Sequence, residues 1–160
     1  GKAATQGILF RDASAIEQMR RVDTMIVDKT GTLTEGRPVF GRAVAVEGIA
    51  ESEVLRLAAS LDQGSEHPLA QAIVDAARAR GLALSPATDF ESSTGIGVRG
   101  SVHGRRLALG NTALMEQDGV DVAALRAAAE ELRSQGSSVM FLAIEGQLLA
   151  GAFVAALVAT

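Results

Sequence analysis

The chain of 160 residues has no cysteine, no tryptophan and no tyrosine, and only three prolines. Without cysteine there is no disulfide framework, no zinc ribbon and no thiolate nucleophile or metal ligand. The two histidines, His67 and His103, are too few for a histidine-rich metal site. Aromatic residues make up 3% of the chain, which removes the stacking platform that single-stranded nucleic acid needs. An excess of positive charge is missing as well. Lys and Arg number 15 against 19 Asp and Glu, a net charge of −4, so no basic surface for nucleic acid is offered. No segment reaches the roughly 18 consecutive apolar residues of a membrane span. The nearest approach, Leu148 to Ala159, is short and is broken by Gly151. The N-terminal GKAATQGILFRD lacks the apolar core of a secretory signal. The expectation is a soluble domain of a reducing compartment.

What is present is a globular composition, 48% hydrophobic, at a length that fits one ordinary domain or one domain plus a piece of another. Such a chain can bury roughly 70% of its unfolded surface and needs no covalent staple. Ala13 to Arg21 reads as a helix with Ile16, Met19 and Arg20 on one face and Asp12 or Ser14 as its cap. Thr24 to Val27 is a short apolar run ending at Asp28, expected as a buried strand, and DKTGTLTEGRP after it reads as loop. From Val39 to Val46 the residues alternate as in a half-buried strand. Glu51 to Leu61 carries Val54, Leu55, Leu57, Ala58 and Leu61 at helical spacing, and Pro68 opens a second helix that ends near Gly81. Strands are expected over 88–92, 96–102 and 105–109, with His103-Gly104 as a two-residue hairpin turn between the last two. Asn111 can cap a short helix, and 121–133 forms a longer one with Ala124, Leu125, Ala128 and Leu132 aligned. Two more strands, 139–144 and 148–154, join through Glu145-Gly146. The sum is an α+β fold, an antiparallel sheet flanked by helix pairs, with a boundary near Pro38.

Four places could carry chemistry. Asp28 ends an apolar run and opens a Gly/Thr loop, where a carboxylate can attack a phosphoryl group, although a bare Asp there can equally cap a turn. His67, in Ser65-Glu66-His67-Pro68, is held extended by the following proline and sits at a helix start. A solvent-facing loop histidine is the plainer alternative. Gly95-Ile96-Gly97-Val98-Arg99-Gly100 has the GxGxxG spacing, but its glycines open a strand and no helix follows, so a dinucleotide fingerprint is rejected. Gly95 and Gly97 could instead let a ligand approach the backbone closely, or mark a bulge. Gly110-Asn111, read alone, is a helix cap.

The string Asp28-Lys29-Thr30-Gly31-Thr32-Leu33-Thr34 resembles the phosphorylation signature of P-type ATPases, and Ser65-Glu66-His67-Pro68 resembles a motif of their heavy-metal-transporting branch. The resemblance extends over nearly the whole chain. It implies that Asp28 is the phosphorylated residue, with Lys29 and Thr30 in its loop. In the related haloacid dehalogenase phosphatases the position of Thr30 holds a second Asp that serves as acid and base. Thr30 cannot fill either role at neutral pH, so an aspartyl phosphate would persist. The resemblance also implies that His67 orients ATP, that Gly95 and Gly97 line its pocket, and that Gly110 and Asn111 lie beside it. Asp62 stands where the family usually carries Glu, and its carboxylate would accept from the adenine amino group. Replacing Gly97 by Val is then expected to fill space that the purine needs.

On this reading residues 1–38 are the start of a haloacid-dehalogenase-like phosphorylation domain, a strand and loop carrying DKTGT, and residues 39–156 are the nucleotide-binding domain. The cofactors implied are ATP and, at the phosphorylation site of the intact enzyme, Mg²⁺. The partners implied are the rest of the phosphorylation domain, the actuator domain and the membrane domain of one polypeptide in the plasma or inner membrane. No metal site and no nucleic-acid partner are expected within these residues. The later DPxK, Thr-Gly-Asp and Gly-Asp-Gly elements do not occur here, so the chain itself is expected neither to transport copper or silver nor to turn over ATP. The alternative is a non-catalytic interaction module with a degenerate nucleotide pocket.

Overall fold

In the computed structural model, which describes residues 13–26 and 34–158, the chain runs α1 (Ala13–Met19), β1 (Thr34–Ala45), α2 (Glu51–Asp62), α3 (Pro68–Ala79), β2 (Thr88–Ser93), β3 (Gly97–Val102), β4 (Arg105–Gly110), α4 (Thr112–Gln117), α5 (Ala123–Ser134), β5 (Ser137–Ile144) and β6 (Gln147–Val158). The strands form one antiparallel sheet in the order β1-β6-β5-β4-β3-β2.

The central strands show why the sheet carries helices on both faces. Successive side chains of a strand point to opposite sides. Leu107 and Leu109 of β4 and Leu142 of β5 therefore pack with Val54, Leu55 and Leu61 of α2 and Ile73 of α3. Ala108, Phe141 and Ala143 point the other way, onto Leu114 and Met115 of α4 and Leu125, Ala129 and Leu132 of α5. Two separate cores share the sheet, and the expected α+β architecture with flanking helix pairs is what the structure shows. In α5 the buried stripe is Leu125, Ala129 and Leu132. The expected stripe is rotated slightly, because Ala124 is exposed and Ala128 only half-buried.

Both short turns use backbone that L-residues seldom adopt. His103 and Gly104 have φ of 53° and 73°, and Glu145 and Gly146 have φ of 50° and 77°. Positive φ at both turn residues matches the right-handed twist of the strands they join.

Two expectations fail on the N-terminal side. Thr24 to Ile26 forms no strand, and Met25 and Ile26 are 78% and 96% exposed. An apolar run becomes a strand only when a neighbour completes its ladder, and none of the described strands pairs with it. Conversely, Thr34 to Pro38 is strand and not loop, since β1 runs on through Pro38 to Ala45. β1 lies at the sheet edge with a register shift between Thr34 and Pro38, the two settings in which a strand tolerates a proline.

Candidate functional site

Antiparallel pairing brings the end of β2, the start of β3, the end of β4 and the start of β5 to the same end of the sheet. A cleft of about 860 Å³ opens there, closed on one side by the α2–α3 connection, residues 62–68. Asp62, Glu66, His67, Gly95, Gly97, Gly110 and Asn111 all line it. Asp28, Lys29 and Thr30 lie outside the described residues.

His67 is the N-cap of α3. Its backbone is extended (φ −71°, ψ 137°), and its Nδ1 accepts from the Leu69 N–H at 3.2 Å. Pro68 then occupies the first helical position, where the absent N–H costs nothing. With Nδ1 as acceptor, the neutral ring carries its proton on Nε2, so the imidazole is a donor at its far nitrogen.

Asn111 ties the two glycine segments together. Its Oδ1 accepts from the Leu114 N–H at 3.2 Å and caps α4, while its Nδ2 donates to the Gly95 carbonyl at 2.9 Å. Its backbone N–H donates to the Ile96 carbonyl, also at 2.9 Å. The glycine turn is thereby fixed to the helix beside it.

The two glycines of that turn differ. Gly95 has φ of +72° and nothing within 4 Å of where a Cβ would stand, so its backbone is open. A Cβ on Gly97 would lie 2.3 Å from the Leu109 carbonyl oxygen, 2.5 Å from Gly110 Cα and 2.9 Å from Leu114 Cδ2. The expectation that a larger residue at position 97 intrudes on a ligand therefore needs correcting. The space belongs to β4, with which Gly97 pairs at Gly110. Gly110 is equally confined, its Cβ position being 2.4 Å from the Ile96 carbonyl oxygen.

Asp62, the last residue of α2, is 2% exposed, and its Oδ2 has no hydrogen-bond partner among the described residues. Desolvation pushes its carboxyl up to about 7. Buried Ser60, two residues earlier, is satisfied through its Oγ, which donates to the Arg56 carbonyl and accepts from the Ser85 N–H. Asp62 is thus a buried acid that lines the cleft, with one carboxylate oxygen unpartnered among the described residues.

Phe90 and Arg133 are among the cleft residues that escaped the sequence reading. Phe90, in a strand with little apolar character, places its ring 3.4 Å from the Cβ position of Gly64 and walls the cleft beside the 62–68 connection. Arg133, at the end of α5, reads in sequence as an ordinary C-terminal arginine. Among the described residues no cluster of His, Asp or Glu could hold a metal ion, and no helix is long and apolar enough to cross a membrane.

The profile of the haloacid dehalogenase-like hydrolases matches residues 22–156, and the chain belongs to that family of hydrolases. Its relatives there are the heavy-metal P-type ATPases, and the described fold is that of their N-domain. The copper-exporting P-type ATPase of Legionella pneumophila is 49% identical over 150 residues, 94% of this chain and 20% of that protein. The solved structure of a zinc-transporting PIB-type ATPase superposes with a TM-score of 0.83 at 34% identity, over 99% of this chain and 25% of that one. The N-domain of HMA6, a copper-transporting P-type ATPase, superposes with a TM-score of 0.62 at 30% identity, over 73% of this chain and 98% of that one. The chain thus spans about a fifth of the length of the curated relative it matches.

Proposed function

We propose that the cleft binds ATP and that, in an intact copper- or silver-exporting P-type ATPase, it delivers the γ-phosphate to Asp28. One observation carries the reading: residues from three separate stretches of sequence, 62–67, 95–97 and 110–111, line a single cleft. Asp62 would accept from the adenine amino group, His67 would orient the nucleotide through Nε2–H, and the open backbone at Gly95 would admit close approach. Gly110, Asn111 and Glu66 complete the walls. Lys29 and Thr30 would flank the phosphorylated Asp28, and Mg²⁺ would act there and not in the cleft. The rest of the phosphorylation domain, the actuator domain and the membrane domain would be partners in the same polypeptide, with this part on the cytoplasmic side.

No glycine-lysine phosphate loop occurs, so binding should be modest, on the order of 0.1–1 mM, or about 4–5.5 kcal/mol. The test is an NMR titration of the labelled chain with ATP and then GTP, without Mg²⁺. Shifts at Asp62, His67, Gly95, Gly97 and Gly110 that are larger with ATP are expected. Spectra unchanged at millimolar ATP would favour the interaction module instead. His67→Gln should raise the dissociation constant roughly two- to tenfold, the loss of one hydrogen bond. The same variant loses the α3 cap and should be destabilised by about 1 kcal/mol, measurable in urea.

A further inference from the structure

The lining of the cleft is short of positive charge. Asp62 and Glu66 are acids, and among the described residues Arg133 is the only lysine or arginine that lines it. Arg133 lies in the last turn of α5, at the β5 side of the cleft, next to Ser137 and Ser138. Its guanidinium sits 5.8 Å from the centre of the Phe141 ring, and one of its terminal nitrogens donates to Thr112 Oγ1 at 3.2 Å. Thr112 directly follows Asn111, so this contact holds the guanidinium against the start of α4. The other terminal nitrogen pairs with Glu130, whose side chain is 65% exposed. A surface pair of that kind is worth little and yields readily to a competing anion. A guanidinium has five N–H donors, and the contacts to Thr112 and Glu130 use only part of that capacity.

The order of strands gives the cleft a direction. Asp62, Gly64 and Phe90 stand at its β2 side, the glycines of β3 and β4 at its middle, and Arg133 at its β5 side. From β2 to β5 is three strand intervals, about 14 Å, a span that suits an extended nucleoside triphosphate with its base at the Asp62 end. We propose that Arg133 is the phosphate-binding cation of this cleft, with the polyphosphate lying across Gly110 and Asn111 towards Ser137 and Ser138. The inference rests on the nucleotide reading of the cleft and adds to it the direction of the ligand and the residue that holds its charged end. Arginine suits that task because its planar fork can give two parallel hydrogen bonds to one phosphate group.

The test compares ATP, ADP, AMP and adenosine, each titrated without Mg²⁺ into the parent chain, Arg133→Gln and Arg133→Lys. The parent should bind ATP at least fivefold more tightly than adenosine. Arg133→Gln should lose most of that preference while its adenosine affinity stays within twofold of the parent's, and Arg133→Lys should recover part of it. Raising the salt from 50 to 300 mM should weaken ATP binding in the parent more than in Arg133→Gln. Unchanged ATP affinity in Arg133→Gln would overturn the assignment. So would a parallel loss for ATP and adenosine, which would mark Arg133 as a support for α5 and Phe141 only. A parent that binds adenosine and ATP equally would leave the base pocket standing and remove the phosphate cation. A parent that binds none of the four would remove both.

Discussion

Gly97→Ala should cost the domain about 2–6 kcal/mol, the largest single effect expected at the cleft. Two terms add. The added methyl would stand 2.3 Å from the Leu109 carbonyl oxygen and 2.5 Å from Gly110 Cα, both backbone atoms of the paired strand. Overpacking of this kind costs typically 1–3 kcal/mol. Gly97 also has φ of +149°, a conformation costing a further 1–3 kcal/mol for a residue with a Cβ. Against a typical total of about 5–15 kcal/mol, such a loss is severe. Gly95→Ala provides the contrast. It meets open space and bears only the cost of left-handed backbone, about 1–2 kcal/mol. Urea denaturation of the two variants should separate them clearly. If Gly97→Ala were as stable as the parent yet failed to bind ATP, the glycine would be serving the ligand and not the sheet.

Asp62→Asn should stabilise the domain by up to about 4 kcal/mol at pH 8 and by only about 1.5 kcal/mol at pH 5, with little change below about pH 4. The carboxyl ordinarily titrates near 3.8 and is raised to about 7 in the folded chain by burial. Between those values the folded state holds a proton that the unfolded state has released. Stability from this group is therefore fully present below about pH 4 and is lost as the pH rises through about 7. The difference of about 3 units corresponds to roughly 4 kcal/mol at 1.36 kcal/mol per unit. Asparagine has the shape of the neutral acid and does not ionise. The difference between the two stability curves isolates Asp62, because other carboxylates, such as Glu53 lowered by its hydrogen bond to Arg56, contribute equally to both. A flat difference curve from pH 5 to 8 would show that Asp62 finds a partner or water in solution.

Most of the fold was legible because its elements carry local signals. His103-Gly104 and Glu145-Gly146 announce hairpins, Pro68 and Asn111 mark helix starts, and α2 repeats its apolar residues at helical spacing. The failures share a physical cause, dependence on distant residues. Thr24 to Ile26 has the composition of a strand but no neighbour to pair with among the described residues, whereas Thr34 to Pro38 has loop-like Gly36 and Pro38 but lies along β6. The stripe of α5 shifted because Ala124 and Ala129 are indistinguishable until the sheet chooses between them. At the cleft, motif residues such as His67 and Gly95 could be named from sequence. Phe90 and Arg133 could not, since only the fold brings β2 and the end of α5 to the same opening. Gly97 was singled out in sequence for the space beside a ligand, whereas the neighbour that excludes a side chain there is β4.

The caps at the cleft have a mechanical consequence. His67 begins a helix that packs into one core, and Asn111 begins a helix that packs into the other. The two cores touch opposite faces of the sheet and share no side chain, so each could loosen without the other. A molecule seated against both caps would join them across the sheet's end, much as a clasp closes two covers on one spine. Occupancy of the cleft would then be felt as stiffening throughout the domain, and emptying it would release both layers together.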